Sequence, residues 1–217
     1  MSTPPEGVWL LRHGKTKLNS TDPDKDLIRG WRNVPLDAEG QREAKEAVAF
    51  TRDKIKPEII YSSDLDRAAD IAKEAAKVCD CPLKVTKDFR PWGLGTFQGK
   101  PAKEVVPQLQ QYIDHPEKPV PGGGESFNDF RGRVLKATKK AMDRHLESGL
   151  NVAIVTHFRD LKLIQAWLAQ GGDTDDIDAK VFAANDIPTG GALRVYRERG
   201  RWKAKIETQT KVGVKRG

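Results

Sequence analysis

Short apolar runs alternate along this chain with longer stretches in which apolar residues recur at helical spacing. The runs rich in β-branched or aromatic residues predict strands at 8–11, 59–61, 152–155, 193–196 and 202–206. Two strands separated by a helix pair in parallel, because a parallel connection needs a crossover long enough to hold that helix. The pattern therefore predicts an α/β fold, a three-layer sandwich with a mainly parallel central sheet and helices on both faces.

Helix start signals precede the helical stretches. Asp37 is of a residue type that caps helix N-termini, and we expect a helix directly after it. Ser63 and Ser126 are each followed three residues later by an aspartate, a spacing that also predicts helix starts. We expect a fourth helix from about 158 to 169, directly after the strand at 152–155.

Two stretches rich in glycine and proline, 90–101 and 115–126, interrupt the middle of the chain. Their composition predicts loops, and they do not divide the chain into halves of different character. We therefore expect a single domain over residues 1–217.

The composition argues against a membrane or secreted protein. Charged residues make up 32% of the chain, and no apolar run approaches the roughly 18 residues that span a bilayer. The first residues, MSTPPEGV, lack the basic and apolar regions of a signal peptide. We expect a cytoplasmic protein with no membrane partner.

The formal net charge of +7 is compatible with several anionic partners. The basic residues are spread along the chain, and the densest clusters, at 136–140 and 211–217, do not interleave aromatic residues with cations as a single-strand binding surface would. We therefore do not expect nucleic acid as the partner. A nucleic-acid protein would show affinity that falls steeply with salt.

Polar residues suited to chemistry follow three of the predicted strands. Arg12 and His13 follow the first strand, Arg67 lies shortly after the second, and His157 follows the strand at 152–155. Ligands of open α/β sheets bind outside the carboxyl ends of the strands. If these strands are parallel neighbours, the four side chains converge on one pocket.

Histidines flanked by arginines favour an anion over a metal ion. A metal site would need a third ligand, and an adjacent guanidinium would repel the cation. A guanidinium can instead donate two parallel hydrogen bonds to a phosphate. A neutral imidazole can attack phosphorus when a backbone carbonyl holds its other ring nitrogen as the donor. Positive charge then stabilises the transferring phosphoryl group, so we expect neither a metal nor another cofactor.

Five segments in order resemble the histidine phosphatase superfamily, which has the phosphoglycerate mutase-like fold and an RHG motif. The segments are LLRHGKTKLN at 10–19, RGWRNVPLDAEGQREA at 29–44, YSSDLDRAADIA at 61–72, PGGGESFNDFRGRV at 121–134 and AIVTH at 153–157. One three-letter match would be weak, whereas five in the right order are specific.

The resemblance implies a role for each matching residue. His13 corresponds to the phosphorylated nucleophile, Arg12 and Arg67 to phosphate clamps, and His157 to a further contact of the phosphoryl group. Asn19 corresponds to a residue that touches substrate phosphate. The substrate-binding residues expected from this motif are Gly14, Thr16 and Asn19. Glu125 and Ser126 occupy the Gly-Glu-Ser positions, where we expect loop anchoring and helix capping.

Two positions depart from the family pattern. Pro91 stands where the family usually has its proton-donating glutamate, and Phe158 follows the second histidine where a small residue is usual. Phe158 would narrow the pocket or give it an aromatic wall.

General acid catalysis is worth about 10²- to 10⁴-fold, most for poor leaving groups. Three outcomes are open: a substrate with a good leaving group, a replacement carboxylate, or phosphate binding without turnover. The candidate carboxylates are Asp64, Asp88 and Glu125.

The residues and the resemblance together predict a metal-independent phosphatase that acts through a phosphohistidine on His13. Its partner would be a phosphorylated small molecule or a phosphoprotein. The alternatives are a phosphoglycerate mutase-type phosphotransferase and a non-catalytic phosphate-binding protein, the latter because Pro91 cannot donate a proton.

Overall fold

The structure, a computed structural model, describes residues 7–22, 24–172 and 187–207 together with Ile177 and Phe182. Within this part of the chain the strands are β1 (Val8–Arg12), β2 (Ile59–Ser63), β3 (Leu83–Thr86), β4 (Val152–Thr156), β5 (Ala192–Glu198) and β6 (Arg201–Glu207). They form one sheet in the order β3-β2-β4-β1-β5-β6. The five strands predicted from the sequence are confirmed, and the basic cluster at 211–217 lies outside the described residues.

The central strands pair in parallel. Strand β4 lies between β1 and β2, with Arg12 opposite Thr156 and Ser62 opposite Val155, and β3 continues the parallel set beyond β2. Strands β5 and β6 are antiparallel and extend the sheet from β1, with β6 as the last strand among the described residues. The predicted mainly parallel sheet is therefore confirmed, and its parallel strands end on one side of the molecule.

Helices cover both faces of the sheet. They are α1 (Ala38–Phe50), α2 (Asp66–Cys79), α3 (Ala102–Asp114), α4 (Phe127–Ser148) and α5 (Phe158–Ala169). In β1, Val8 and Leu10 pack into one apolar cluster with residues of α4 and α5. Trp9 and Leu11 point to the opposite face and pack into a second cluster with residues of α1 and α2. The alternation of side chains along the strand thus fills two cores, and the three-layer prediction is confirmed.

Two of the predicted helix caps are confirmed. The Gly40 backbone N–H donates to Asp37 Oδ1 at 2.8 Å at the start of α1. The Asp129 N–H donates to Ser126 Oγ at 3.1 Å at the start of α4. Each bond satisfies a donor that the first helical turn leaves without a partner.

The predicted cap at Ser63 is wrong. Ser63 is the last residue of β2 and pairs with β3, so the chain is still extended at this position. Helix α2 begins at Asp66, and Leu65 stands at its N-cap without a side-chain cap. The Ser63 hydroxyl instead accepts from the Leu65 N–H at 3.3 Å and closes the turn between strand and helix.

Strand β3 and helix α3 are not among the elements predicted from the sequence. Strand β3 has four residues, none of them fully buried, so its apolar signal is weak. Helix α3 contains Pro107 and buries only Val105 and Leu109. None of the helices in the described ranges is long and apolar enough to cross a membrane.

Candidate active site

A pocket opens where the parallel strands end. Arg12 and His13 enter it from the end of β1, His157 from the end of β4, and Arg67 from the first turn of α2 after β2. The structure thus brings together the four residues that the sequence placed at strand ends. The cavity has a volume of about 120 Å³.

His13 is held in an orientation suited to attack. His13 is 3% exposed, and its Nδ1 lies 2.7 Å from the carbonyl oxygen of Gly14. With Nδ1 as the donor of that hydrogen bond, Nε2 keeps its lone pair. Burial, followed by the charges of Arg67 and Arg12, holds the pKa of His13 well below 6.5. The imidazole is therefore neutral at pH 7 and nucleophilic at Nε2.

His157 faces His13 across the pocket. The ring centroids are 5.0 Å apart and the planes meet at 62°. His157 is 2% exposed, and neither ring nitrogen has a hydrogen-bond partner among the described residues. Burial, then Arg67 and His13, lowers the pKa of His157 well below 6.5. A buried ring with two unpartnered nitrogens is suited to a polar ligand that enters the pocket.

The arginines of the pocket are fixed by backbone carbonyls and an aromatic ring. Arg67 Nη1 donates to the Arg32 carbonyl at 2.8 Å, and its Nη2 donates to the Gly30 carbonyl at 2.9 Å. Burial first and then Arg29 lower the pKa of Arg67 to about 10, so it remains a cation at neutral pH. The Arg12 guanidinium lies 4.5 Å from the Phe158 ring centroid.

Phe158 and the stretch at 90–101 form the apolar wall. Phe158, Pro91 and Trp92 line the pocket, and Phe158 supplies the aromatic wall that was one of its two expected roles. Trp92 is also fully buried, with its ring stacked on Phe130 at 5.8 Å. Phe97, on the same stretch, packs against Tyr112 and does not line the pocket among the described residues. Pro91 therefore occupies the pocket wall itself, where it offers no titratable group.

None of the three candidate replacement acids is among the described residues that line the pocket. Asp64 accepts two hydrogen bonds from Arg90 at 2.6 and 2.7 Å, and this pairing lowers the pKa of the Asp64 carboxyl. Glu125 accepts from Arg133 at 2.8 and 2.9 Å. Asp88 is exposed and accepts from the Thr86 hydroxyl at 2.9 Å. The expectation that one of them reaches the substrate is therefore not supported.

The predicted anchoring role of the Gly-Glu-Ser segment is confirmed. Glu125 Oε2 accepts from the Gly93 N–H at 2.9 Å, so the carboxylate ties the loop before α4 to the loop that carries Pro91. Ser126 caps α4 as described above. Arg133 completes the junction because it donates to the Arg90 carbonyl at 2.8 Å.

Asp160 strengthens the same region from the other side. It is buried on the first turn of α5, and burial raises the pKa of its carboxyl well above 3.8. The Thr156 hydroxyl donates to Asp160 Oδ2, and its oxygen also lies 3.1 Å from the Phe89 carbonyl oxygen. The end of β4 is thereby fixed to the segment before Pro91.

The three predicted substrate-binding residues shape the loop after β1. Asn19 Oδ1 accepts from both the backbone N–H and the hydroxyl of Thr16 at 2.9 Å, and the Gly14 carbonyl holds His13. Thr16 is completely buried. None of the three is among the described lining residues, so direct contact with substrate stays a prediction for them.

Sequence reasoning missed three charged residues of the pocket, Asp26, Arg29 and Arg159. Arg29 donates to Asp26 at 3.2 Å and to the Leu18 carbonyl at 3.3 Å. Arg159 lies two residues after His157, on the first turn of α5, and this closeness to a strand-end histidine could have revealed it. In the described part of the chain, no group of three or more His, Cys, Asp or Glu side chains is arranged to hold a metal ion.

Fold and pocket together define an α/β protein with a pocket lined by arginines and histidines at the carboxyl ends of parallel strands. The chain belongs to the histidine phosphatase superfamily (branch 1), whose family model matches residues 8–186. The resemblance inferred from the five sequence segments is thus confirmed.

Relatives include both phosphatases and mutases. The metal-independent phosphoserine phosphatase of Arabidopsis thaliana is 30% identical over 169 residues, which cover 75% of this chain and 68% of that protein. The 2,3-bisphosphoglycerate-dependent phosphoglycerate mutase of Tropheryma whipplei (strain Twist) is 29% identical over 212 residues, covering 85% of this chain and 90% of that protein. Bacillus stearothermophilus YhfR has a similar structure, with a TM-score of 0.71, 25% identity and coverage of 92% of this chain and 95% of that one.

Proposed function

We propose that this protein is a metal-independent phosphatase that hydrolyses phosphate monoesters or activated phosphates through a phosphohistidine on His13. The observation that carries the proposal is the state of His13, a buried neutral imidazole whose Nδ1 is engaged by the Gly14 carbonyl. That arrangement leaves Nε2 as the nucleophile. A metal-independent phosphatase among the relatives supports the same reading.

The reaction divides into two displacements at phosphorus. In the first, the Nε2 lone pair forms a bond to phosphorus, and the bond from phosphorus to the leaving oxygen breaks with its electron pair on that oxygen. In the second, a water oxygen attacks phosphorus, the N–P bond breaks, and the water gives up a proton as inorganic phosphate is released. The cations Arg12 and Arg67 face the phosphoryl oxygens and stabilise the charge spread over them.

The pocket favours leaving groups that depart without a proton. Pro91 offers none, and Asp26 on the pocket wall is paired with Arg29. Asp64 and Glu125 are held in ion pairs away from the pocket. An alkoxide would have to leave unprotonated, which is costly, whereas aryl oxides, acyl phosphates and phosphohistidine leave more readily. We therefore infer that activated phosphates are the better substrates.

A phosphoglycerate mutase-type activity is the alternative, because a mutase relative aligns over most of its length. Such a reaction transfers phosphate between sugar-acid hydroxyls and has to protonate an alkoxide in each direction. The proline at position 91 weighs against it.

Hydrolysis of p-nitrophenyl phosphate and of an alkyl phosphate, without added metal, tests the proposal. We expect turnover of the aryl ester with little of the alkyl ester, and loss of both turnover and covalent phosphohistidine in His13→Ala. His115→Ala is the matched control, because His115 is exposed at the end of α3, outside the described lining of the pocket. Equal turnover of both esters would mean that another proton donor exists, and no turnover by the wild type would identify a phosphate-binding protein without catalysis.

A further inference from the structure

A groove on the outer side of helix α4 lies apart from the active site and has a volume of about 710 Å³. Its described lining includes four cationic side chains, Lys136, Lys139, Lys140 and Arg144. The basic cluster at 136–140 that stands out in the sequence therefore lies along this groove. None of the described residues that line the groove also lines the active-site pocket, so these charges have no part in the proposed chemistry.

The groove has an aromatic base. Helix α4 has no side chain at Gly132, and a Cβ added there would meet nothing within 4 Å. Tyr61 on β2 is the one described lining residue outside α4, and because it is only 8% exposed it forms the base of the groove. Lys84, opposite Tyr61 on β3, places its Nζ 6.0 Å from the centroid of the Tyr61 ring. Cations thus surround an aromatic side chain.

The length of the groove is that of a short extended peptide. Its lining residues on α4 run from Gly132 to Glu147, a stretch of helix about 22 Å long. An extended chain rises about 3.3 Å per residue. The groove therefore offers room for about seven residues of another chain.

The protein does not neutralise the cations of the groove. Among the described residues, Lys136, Lys140 and Arg144 form no ion pair. They follow one another at intervals of four residues, the spacing at which like charges on a helix repel. An anionic ligand bound along this face would relieve that repulsion.

The carboxylates of the groove indicate which kind of anion fits. Asp143 and Glu147 line its second half, after the three lysines. They would repel the continuous row of phosphates of a nucleic acid, or a flat layer of anionic lipid headgroups. A second copy of this chain would bring the same cations together, because a symmetric contact uses the same patch on both copies. An acidic segment of a different protein meets neither obstacle, since its carboxylates can lie over the lysines alone.

We propose that this groove binds an extended acidic segment of a partner protein. The carboxylates of that segment lie over Lys136 and Lys140, and one of its apolar side chains packs on Tyr61 beside Gly132. The charges attract the segment, and the aromatic base favours segments that carry the apolar side chain. Because the groove and the active site share no described lining residue, this binding is independent of the proposed function.

Labelled heptapeptides test the groove by fluorescence anisotropy. The acidic probe has six glutamates around a central tryptophan. One comparison peptide has alanine in place of the tryptophan, and a second has glutamine in place of every glutamate. These measurements need no turnover, so their outcome is separate from that of the phosphatase assay.

Three variants separate the charges of the groove from its shape. Lys136→Gln combined with Lys140→Gln removes two of its cations. Lys73→Gln combined with Lys77→Gln is the matched control, because these lysines are also exposed and four residues apart, on α2. Gly132→Leu fills the open space beside the aromatic base and leaves the charges unchanged, and leucine is compatible with a helix. Urea unfolding shows that each variant is folded.

We expect the substitutions at 136 and 140 to weaken binding of the acidic probe by about three- to thirtyfold, the range for two exposed ion pairs. The control pair on α2 should bind the probe as the wild type does. Gly132→Leu should bind the tryptophan and alanine peptides equally, and the glutamine peptide should not bind any of the proteins.

Several results would overturn the proposal. No binding of the acidic probe up to about 1 mM would mean that the groove takes no such segment. An equal loss in both lysine pairs would mean that only net charge attracts the probe. Phosphatidylserine vesicles or duplex DNA bound more tightly than the probe, and lost with the substitutions at 136 and 140, would identify a different class of partner. A wild-type dimer that Gly132→Leu converts to a monomer in gel filtration would identify a second copy of the chain.

Discussion

At the scale of single residues, the chemistry depends on how firmly the pocket keeps His13 unprotonated. The ring is buried between two arginines, and the Gly14 carbonyl holds its Nδ1. Each of these features favours the neutral imidazole or fixes its tautomer. The nucleophile is therefore prepared before any substrate binds.

The neutral state of His13 predicts how kcat/KM depends on pH under acidic conditions. Because burial, Arg67 and Arg12 depress the pKa of His13, we expect kcat/KM for p-nitrophenyl phosphate, corrected for ionisation of the substrate, to stay level as the pH falls through 6.5. The measurement is a pH–rate series with the wild type. Arg67→Gln removes one cause of the depression, so its residual activity should fall off at a higher pH than that of the wild type. A loss of wild-type activity centred at 6.5 would show that the imidazole titrates like a free one.

A residue of the pocket could be predicted from the sequence where it lies at the end of a predicted strand. Arg12 ends β1, and His13 and His157 directly follow β1 and β4. Parallel pairing of these two strands carries the three residues to one place. The partners of the candidate acids could not be predicted. Asp64 meets Arg90 because of the path of the loop at 90–101, which no local pattern specifies. Glu125, just before α4, meets Arg133 within that helix.

At the scale of elements, helix α1 packs against the loop that carries His13 through two glycines. A Cβ added to Gly40 would lie 1.9 Å from the Lys15 carbonyl oxygen, and one added to Gly14 would lie 2.4 Å from the Gly40 oxygen. The two backbones are therefore in direct contact. This contact supports the position of the Gly14 carbonyl and, through it, of the His13 ring.

We expect Gly40→Ala to lower the free energy of unfolding by about 1–3 kcal/mol, the cost of overpacking, and to reduce phosphatase activity by shifting the His13 loop. Gly132→Ala is the matched control, because an added Cβ there meets nothing within 4 Å in the interior of α4. That control should raise the free energy of unfolding by about 0.5–1 kcal/mol, the helix penalty of glycine. Urea unfolding and p-nitrophenyl phosphate hydrolysis measure both effects. Equal stability of the two variants would show that the contact is easily relieved.

Elements with strong local signals were predicted and those with weak signals were not. Helices α1 and α4 have side-chain caps and long apolar stripes, which the sequence displays directly. Strand β3 becomes a strand because β2 offers it a free edge. Helix α3 has few buried residues and an internal proline, so tertiary packing decides its conformation.

At the scale of the whole molecule, the pocket that prepares the nucleophile also makes stability depend on pH. His13 and His157 are both buried and uncharged, with pKa values lowered well below 6.5. The unfolded chain takes up these protons near pH 6.5 and the native state does not. Acidification therefore favours unfolding in the interval between the lowered pKa values and 6.5.

We expect the free energy of unfolding to fall as the pH drops below 6.5, with these two groups adding at most about 2.7 kcal/mol per pH unit. His13→Ala should make the dependence shallower by up to about 1.4 kcal/mol per pH unit. Urea unfolding across this interval, with His115→Ala alongside, provides the measurement. Parallel curves for the wild type and His13→Ala would contradict the prediction.

The mainly parallel sheet could be predicted from the sequence, but the spatial order of its strands could not. Alternation of strands with helices implies parallel pairing, which holds for β1, β2, β3 and β4. The spatial order of the strands depends on which face each crossover takes. The reversal at β5, which places it antiparallel to β1, has no local signal in the sequence.

The exposed border at β6 has a consequence for the behaviour of the protein in concentrated solution. In the described part of the chain β6 pairs only with β5, so its outer backbone groups could template intermolecular sheet growth and aggregation. Most of its residues are exposed, and Arg201, Lys203 and Lys205 alternate along it. Two copies meeting edge to edge would bring these cations together, and their repulsion discourages fibre-like stacking.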